Sequence, residues 1–251
     1  MGLVRCASFG SSDADVPGGP DADAVDASND ASSRADVVAD TSASTCASDA
    51  HYFCVDFDDG RPLGADLLNV VAGTASIDDA AAYSPPASLF ASANQAMPST
   101  AVVASFSEPV RRVTASVRYR VDANAGLGGA APINIDVLGA AGSAISCYFF
   151  AQPTQGAVAV TTYPGASGTT GALTPELAPP IGTWVSITVD LSLDDATCNI
   201  ERDGTPQGSL PIPAAFSADR FTIGIGEING SFEDGGATSA HYDDLVVDVV
   251  K

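Results

Sequence analysis

Acidic side chains are the first residues here whose type and spacing could do chemistry. Asp58-Asp59 and Asp243-Asp244 stand near opposite ends of the part of the chain that is rich in apolar residues, and Glu227 and Glu233 lie six positions apart. Carboxylates brought together repel unless a cation or hydrogen bonds compensate them, and a fixed pair can divide the acid and nucleophile roles of glycoside cleavage. Glu227 and Glu233 suit the second task poorly: the Asn-Gly of Ile228-Asn229-Gly230-Ser231-Phe232 is a turn signal that breaks a shared strand face. No Gly-x-Ser-x-Gly elbow occurs, His51 and His241 have no metal-ligand spacing, and the cysteines form no zinc pattern. Gly224-Ile225-Gly226 is followed by no helical pattern, so it is not a phosphate loop. Asn229-Gly230-Ser231 matches a glycosylation acceptor and reads more simply as a turn.

Cysteines are the second such group. Of five, at positions 6, 46, 54, 147 and 198, four can form two bridges and leave Cys6 over. Cys46 and Cys54 are near enough in sequence to clip the end of the acidic N-terminal segment to the first strand. Cys147 and Cys198 fall on separate strand-like runs and can staple them. Both pairings imply an oxidising compartment.

Around these residues the chain divides into two textures. Residues 1–50 are an acidic run of Ala, Asp and Ser, with no Leu, Ile, Met or aromatic residue from Ser11 to Thr45. Such a run cannot bury enough apolar area to offset an ordering cost of about 1–2 kcal/mol per residue, so it is expected to be a disordered tether. Residues 51–251 show short Val, Ile, Phe and Tyr runs punctuated by Gly, Pro, Asn and Asp, which predicts an all-β domain. The clearest strand is Val113–Val121, where Ala115, Val117, Tyr119 and Val121 alternate with Thr114, Ser116, Arg118 and Arg120. Further strands are expected over 53–58, 74–78, 88–92, 101–106, 133–138, 145–151, 157–163, 184–193, 197–202, 221–225 and 242–250, enough for two sheets. Asp203-Gly204 predicts a tight hairpin turn. With 31 acidic against 10 basic residues, the chain repels nucleic acid and anionic membranes, and it has no apolar run of spanning length.

The order of Phe53-Cys54-Val55-Asp56-Phe57-Asp58-Asp59, Ser84-Pro85-Pro86-Ala87-Ser88-Leu89, Gly182-Thr183-Trp184-Val185-Ser186-Ile187 and His241-Tyr242-Asp243-Asp244-Leu245-Val246-Val247 resembles concanavalin A-like jelly rolls, the fold of lectins, laminin G-like domains, carbohydrate-binding modules and family 16 glucanases. The resemblance covers residues 53–250. It implies a two-sheet antiparallel jelly-roll sandwich whose first and last strands lie side by side, which brings Asp58, Asp59, Asp243 and Asp244 together. It further implies a structural calcium ion on those four aspartates; backbone hydrogen bonds to the same carboxylates are the alternative. The paired-carboxylate strand of the glucanases, Glu-x-Asp-x-x-Glu or similar, is missing. Leu3-Val4-Arg5-Cys6 resembles the end of a bacterial lipoprotein signal, which makes Cys6 a candidate lipid anchor on a segment that begins upstream of Met1.

A pyranose offers a flat apolar side and a polar rim, so a sugar site would combine aromatic platforms with hydrogen-bonding groups on one face. Tyr148, Tyr163, Arg118 and Arg120 are the candidates, with Phe150 beside Tyr148; each is equally compatible with an ordinary sheet position. Trp184 is expected in the core. The reading is an extracytoplasmic, non-catalytic binding module for a carbohydrate or another cell-surface ligand. The alternatives are a divergent glycoside hydrolase or polysaccharide lyase, and a structural or adhesion domain with no small ligand.

Overall fold

The computed structural model describes Cys46 and residues 51–251 except 61, 65–67, 98, 125–128, 153–154, 164–166, 172–177, 215 and 230–236. The expected tether, apart from Cys46, lies outside the described residues, as do Cys6 and Glu233.

Period-two alternation builds the architecture. In β6 (Arg112–Asn124), Val113, Ala115, Val117, Tyr119 and Val121 are buried, while Thr114, Ser116, Arg118 and Arg120 face the other way and keep contact with solvent. The same pattern buries Ile145, Cys147, Phe149 and Ala151 of β8 (Ala144–Gln152) and Val185, Ile187, Val189 and Leu191 of β11 (Val185–Ser192). A sheet with one apolar face must cover it, and here two sheets cover each other.

The first sheet has eight strands in the spatial order β13 (Thr205–Pro211), β12 (Thr197–Arg202), β11, β6, β15 (Ala237–Val250), β4 (Ser88–Asn94) and β3 (Thr74–Asp78), with β1 (Phe53–Val55) also paired to β15. The second has seven: β10 (Ser167–Thr170), β9 (Gln155–Tyr163), β8, β7 (Gly129–Leu138), β14 (Arg220–Asn229), β5 (Ser99–Phe106) and β2 (Asn69–Ala72). All these strand pairs are antiparallel. Between the sheets lie Leu89, Tyr119, Phe149, Ile187, Phe221 and Tyr242, each fully buried. A side chain of the Leu, Ile or Phe kind contributes about 1.5–3 kcal/mol when removed from water.

Both expected disulfides form. Cys147 of β8 joins Cys198 of β12, a bond between the two sheets with Cα atoms 5.8 Å apart, and Cys46 joins Cys54 of β1 at 5.4 Å. The expected hairpin is present as well, with Asp203 at φ 50° and Gly204 at φ 72°, the pair of left-handed residues that a two-residue β turn of this hand requires.

The terminal strands pair as expected, with Phe53 opposite Val247 and Val55 opposite Leu245. β4 occupies the same edge of β15 from Ala237 to Tyr242 and β1 takes it from Leu245 to Val247, so between these two strands the edge has a gap at Asp243 and Asp244. β1 is shorter than expected because the Asp56 carboxylate accepts the Asp58 N–H and turns the chain. Two strands were not expected, β2 and β10, and β13 was expected only as the unbounded return strand of the Asp203-Gly204 hairpin. β2 is a mostly exposed edge strand with Val71 63 % exposed, so it carries no alternation to read. From β2 the chain crosses to β3 in the other sheet through Gly73, at φ 69°, where a Cβ would lie 2.1 Å from Thr100 Oγ1. Trp184 is not in the core: it precedes β11, half-buried, edge-on to Tyr83. Among the described residues no helix is long and apolar enough to cross a membrane.

Candidate functional site

The acidic corner is assembled by the uncovered edge of β15. Asp243 is fully buried there, and its Oδ2 accepts the backbone N–H groups of Tyr83 and Ser84, both at 2.9 Å. Its Oδ1 accepts the Asp244 N–H at 2.9 Å, and the Ser84 hydroxyl donates to Asp244 Oδ1 at 3.1 Å. The carboxylate thus takes the place of a strand partner for the segment that closes the gap. Burial pushes the Asp243 carboxyl up to about 7; the N–H groups of Ser84, Asp244 and Tyr83 oppose this and the Asp244 charge adds to it. Asp58 accepts the Ala87 N–H at 3.0 Å and is also shifted upward, first by burial and then by Asp56, Asp244 and Asp59. Asp59 is exposed. The structure therefore gathers Asp58, Asp243 and Asp244, but points their oxygens at N–H and O–H donors. Among the described residues no group of three or more His, Cys, Asp or Glu side chains is placed to hold a metal ion. The donor set does not fit a calcium cage.

Arg118 and Arg120 lie on the outer face of the first sheet, each engaged. The Arg118 guanidinium stacks over Tyr83 at 4.3 Å, and Arg120 Nε meets Asp122 Oδ1 at 2.9 Å. Asp122 also holds Nδ1 of His241, a buried residue tilted against Phe90. These arginines position a network and face away from Tyr148 and Tyr163, which belong to the other sheet.

The outer face of the second sheet carries the arrangement suited to a ligand. Cross-strand register sets Ala159, Tyr148, Asn134, Gly224 and Val103 in one row over β9, β8, β7, β14 and β5. The next row is Thr161, Ser146, Asp136, Thr222 and Ser105. Phe150 lies opposite Ala157. Ala157 and Ala159 are buried yet stand apart from the core cluster that holds Val158 and Val160. Burial on that face is what a ring leaning across the strand onto a methyl group produces, and Phe150 and Tyr148 are their neighbours. The Tyr148 hydroxyl reaches Thr161 Oγ1 at 3.4 Å. Tyr163, at the strand end, is 61 % exposed.

Asn134 lies in the middle of this face with 9 % exposure, an unusual place for an amide. Gly224 makes room for it: a Cβ at 224 would sit 1.9 Å from Asn134 Oδ1. The amide nitrogen donates to Asp136 Oδ2 at 3.1 Å, and the same oxygen accepts the Thr222 hydroxyl at 3.2 Å. Reversing the amide would set oxygen against oxygen, so Asp136 fixes its direction. Asn134 Oδ1 is left as a buried acceptor without a hydrogen-bond partner. Such a group costs about 1–3 kcal/mol until a donor reaches it. Sequence reasoning passed over Asn134, Asp136 and Thr222, although Ile133-Asn134-Ile135-Asp136-Val137 alternates plainly enough to put both polar residues on the outer face.

No protein-family model matches the chain, and no curated protein matches it in sequence. Solved structures do match in shape. The cellulose-induced protein Cip1 superposes with a TM-score of 0.57 at 15 % identity, over 78 % of this chain and 96 % of that one. The carbohydrate recognition domain of Emp47p gives 0.56 at 11 % identity, over 79 % and 96 %. The fold is the concanavalin A-like jelly roll. The catalytic domain of an endo-1,3-beta-glucanase (laminarinase) from Thermotoga petrophila shares this jelly roll at a TM-score of 0.55 and 12 % identity, over 78 % and 96 %. At such identities the likeness is one of jelly-roll architecture.

Proposed function

We propose that this jelly roll is a non-catalytic carbohydrate-binding module that takes a neutral glycan on the outer face of its second sheet. The observation that carries the reading is the buried, unpartnered Asn134 Oδ1, seated over Gly224 and flanked in its row by Tyr148, which a ligand reaches once the amide swings off the glycine. A sugar hydroxyl is the donor it lacks. The rings of Tyr148 and Phe150 offer the apolar side of a pyranose its surface, and Asp136, Thr161 and Thr222 supply the polar rim. Asp136 has Thr161, Ser146, Thr222 and Ser105 in its row, which bring hydroxyls and no second carboxylate, so the glycosidase division of labour finds no pair there. Jelly-roll neighbours that include a carbohydrate recognition domain and a glucanase support a glycan as ligand. The two disulfides support an oxidising, extracytoplasmic setting.

Electrophoresis through gels containing laminarin or hydroxyethylcellulose tests this. Retardation by either, with no new reducing ends after prolonged incubation, is expected. Asn134→Ala and Tyr148→Ala are each expected to weaken retardation by roughly 3- to 10-fold, the worth of one hydrogen bond or one ring contact of about 0.5–1.5 kcal/mol. Release of reducing ends would replace the binding reading with a catalytic one. Unaltered retardation in both variants would remove the site.

A further inference from the structure

The first sheet carries a cavity on its own outer face, far in topology from Tyr148. It has a volume of about 560 Å³ and lies over β6, β11, β12 and β13, lined by Arg112, Thr114, Asp190, Asn199, Glu201 and Ser209 among others. That size falls in the range of about 300–1,000 Å³ typical of small-ligand clefts.

Its floor is locked. Asp190 Oδ1 accepts from Arg112 Nε at 2.6 Å and from the Thr114 hydroxyl at 2.9 Å. Asp190 Oδ2 accepts from Arg112 Nη2 and from Asn199 Nδ2, both at 3.1 Å. The paired guanidinium and carboxylate hold each other in plane, which fixes two further sets of groups without ligand. Arg112 has five N–H groups, of which Asp190 takes two, so about three remain on a guanidinium whose orientation is set. Asn199 donates to Asp190 and to Thr197 Oγ1 at 3.3 Å, so its amide nitrogen is engaged and its Oδ1 is the end that remains to accept. Glu201, exposed, adds an acceptor beside them, and Ser209 a hydroxyl.

We propose that this cleft is a second site for a neutral sugar, so that the domain binds glycan on both outer faces. The charges select the class. The Arg112 cation is matched by Asp190, and Glu201 leaves the lining net negative, which disfavours phosphate, sulfate and uronate groups. No aromatic ring lines the cleft, so an aromatic ligand finds no surface. What is left is a fixed donor fork next to fixed acceptors, the complement of adjacent hydroxyls that each donate and accept. This site differs in kind from the one with Tyr148 and Phe150: it grips hydroxyls at a sugar's edge and has no platform for its face. It rests on the glycan reading for its ligand class, but on none of the same residues.

A nitrogen–proton NMR titration of the whole chain with laminarihexaose and with cellohexaose tests it, following the Arg112 Nε–H, the Asn199 side-chain amide and the Asn134 side-chain amide. With one of the two probes, saturable shifts at Arg112 and Asn199 are expected, persisting in Asn134→Ala and weakened about 5- to 10-fold in Glu201→Ala, the loss of one hydrogen bond. Glu201 is exposed, so that variant is expected to keep the wild-type spectrum elsewhere. Shifts confined to the Asn134 face overturn this proposal and leave the first site standing. Shifts confined to Arg112 and Asn199 support it and remove the first site. No shift at either face with both probes overturns both.

Discussion

Replacing Asp243 by Asn isolates the most consequential ionisable group of the fold. The wild-type carboxyl moves from an ordinary 3.8 to about 7 on folding, chiefly through burial. A raised value means that the folded protein binds the proton more tightly than the unfolded chain. The resulting stabilisation is complete below about 3.8 and is lost as pH rises to about 7. A roughly thousandfold difference in proton affinity corresponds to about 4 kcal/mol, at about 1.36 kcal/mol per tenfold. Asn cannot titrate, so subtracting the variant's unfolding free energy from that of the wild type cancels the other carboxylates. That difference is expected to fall by about 4 kcal/mol across the window, with wild type relatively most stable in acid. Urea unfolding followed by the fluorescence of Trp184, the chain's one tryptophan, is the assay, since its ring lies 6.0 Å from that of Tyr83, whose N–H binds Asp243. A flat difference, or one that rises with pH, would refute the reasoning: the three N–H donors would then outweigh burial and keep the carboxylate charged.

Gly224→Ala forces a methyl against Asn134 Oδ1 and is expected to cost about 1–3 kcal/mol in denaturant unfolding, with most of the loss recovered in the double variant with Asn134→Ala. Replacing Cys147 and Cys198 by Ala frees a loop of 51 residues, for which chain entropy gives about 4 kcal/mol, measurable as a drop in urea midpoint against the oxidised wild type. Calcium or a chelator is expected to leave the melting temperature unchanged, because the gathered aspartates already accept N–H and O–H donors; a rise with calcium would show that these donors yield to the ion.

The sandwich was legible where one side of a strand is apolar and the other wet, as from Val113 to Val121, where turn or covalent chemistry is local, as at Asp203-Gly204 and Cys46–Cys54, and where two cysteines fall on separate strand-like runs, as at Cys147 and Cys198. β2 escaped notice because it is a short edge strand exposed on most of its residues, and β13, implied only by the hairpin turn, is exposed on most of its residues and holds Pro and Gly, so neither shows an alternating pattern. The gathering of Asp243 with Asp58 followed from pairing of the end strands, but its hydrogen-bond partners did not: they come from Tyr83, Ser84 and Ala87, whose contribution is backbone N–H and thus independent of residue type. Trp184 was placed in the core on its apolar strand neighbours, whereas it sits one residue before the strand and packs on Tyr83. Asn134 shows the limit most clearly. Its alternation gives the face, but the room for it comes from Gly224, which is ninety residues away and becomes its neighbour only through sheet register.

The pairing of β1 with β15 also decides how the domain responds to force. The strands run antiparallel, so tension applied at Phe53 and at Val250 pulls on the same end of the pair and separates it rung by rung, the mechanically weak mode for a β ladder. The bond from Cys46 to Cys54 moves the point of loading one rung inward and removes the seven intervening residues, 47–53, from the load path. Its reduction would lengthen the load path by about 22 Å, the roughly 27 Å contour at about 3.4 Å per residue less the 5.4 Å the bond spans, which makes this clip a length-setting element as well as a fastening.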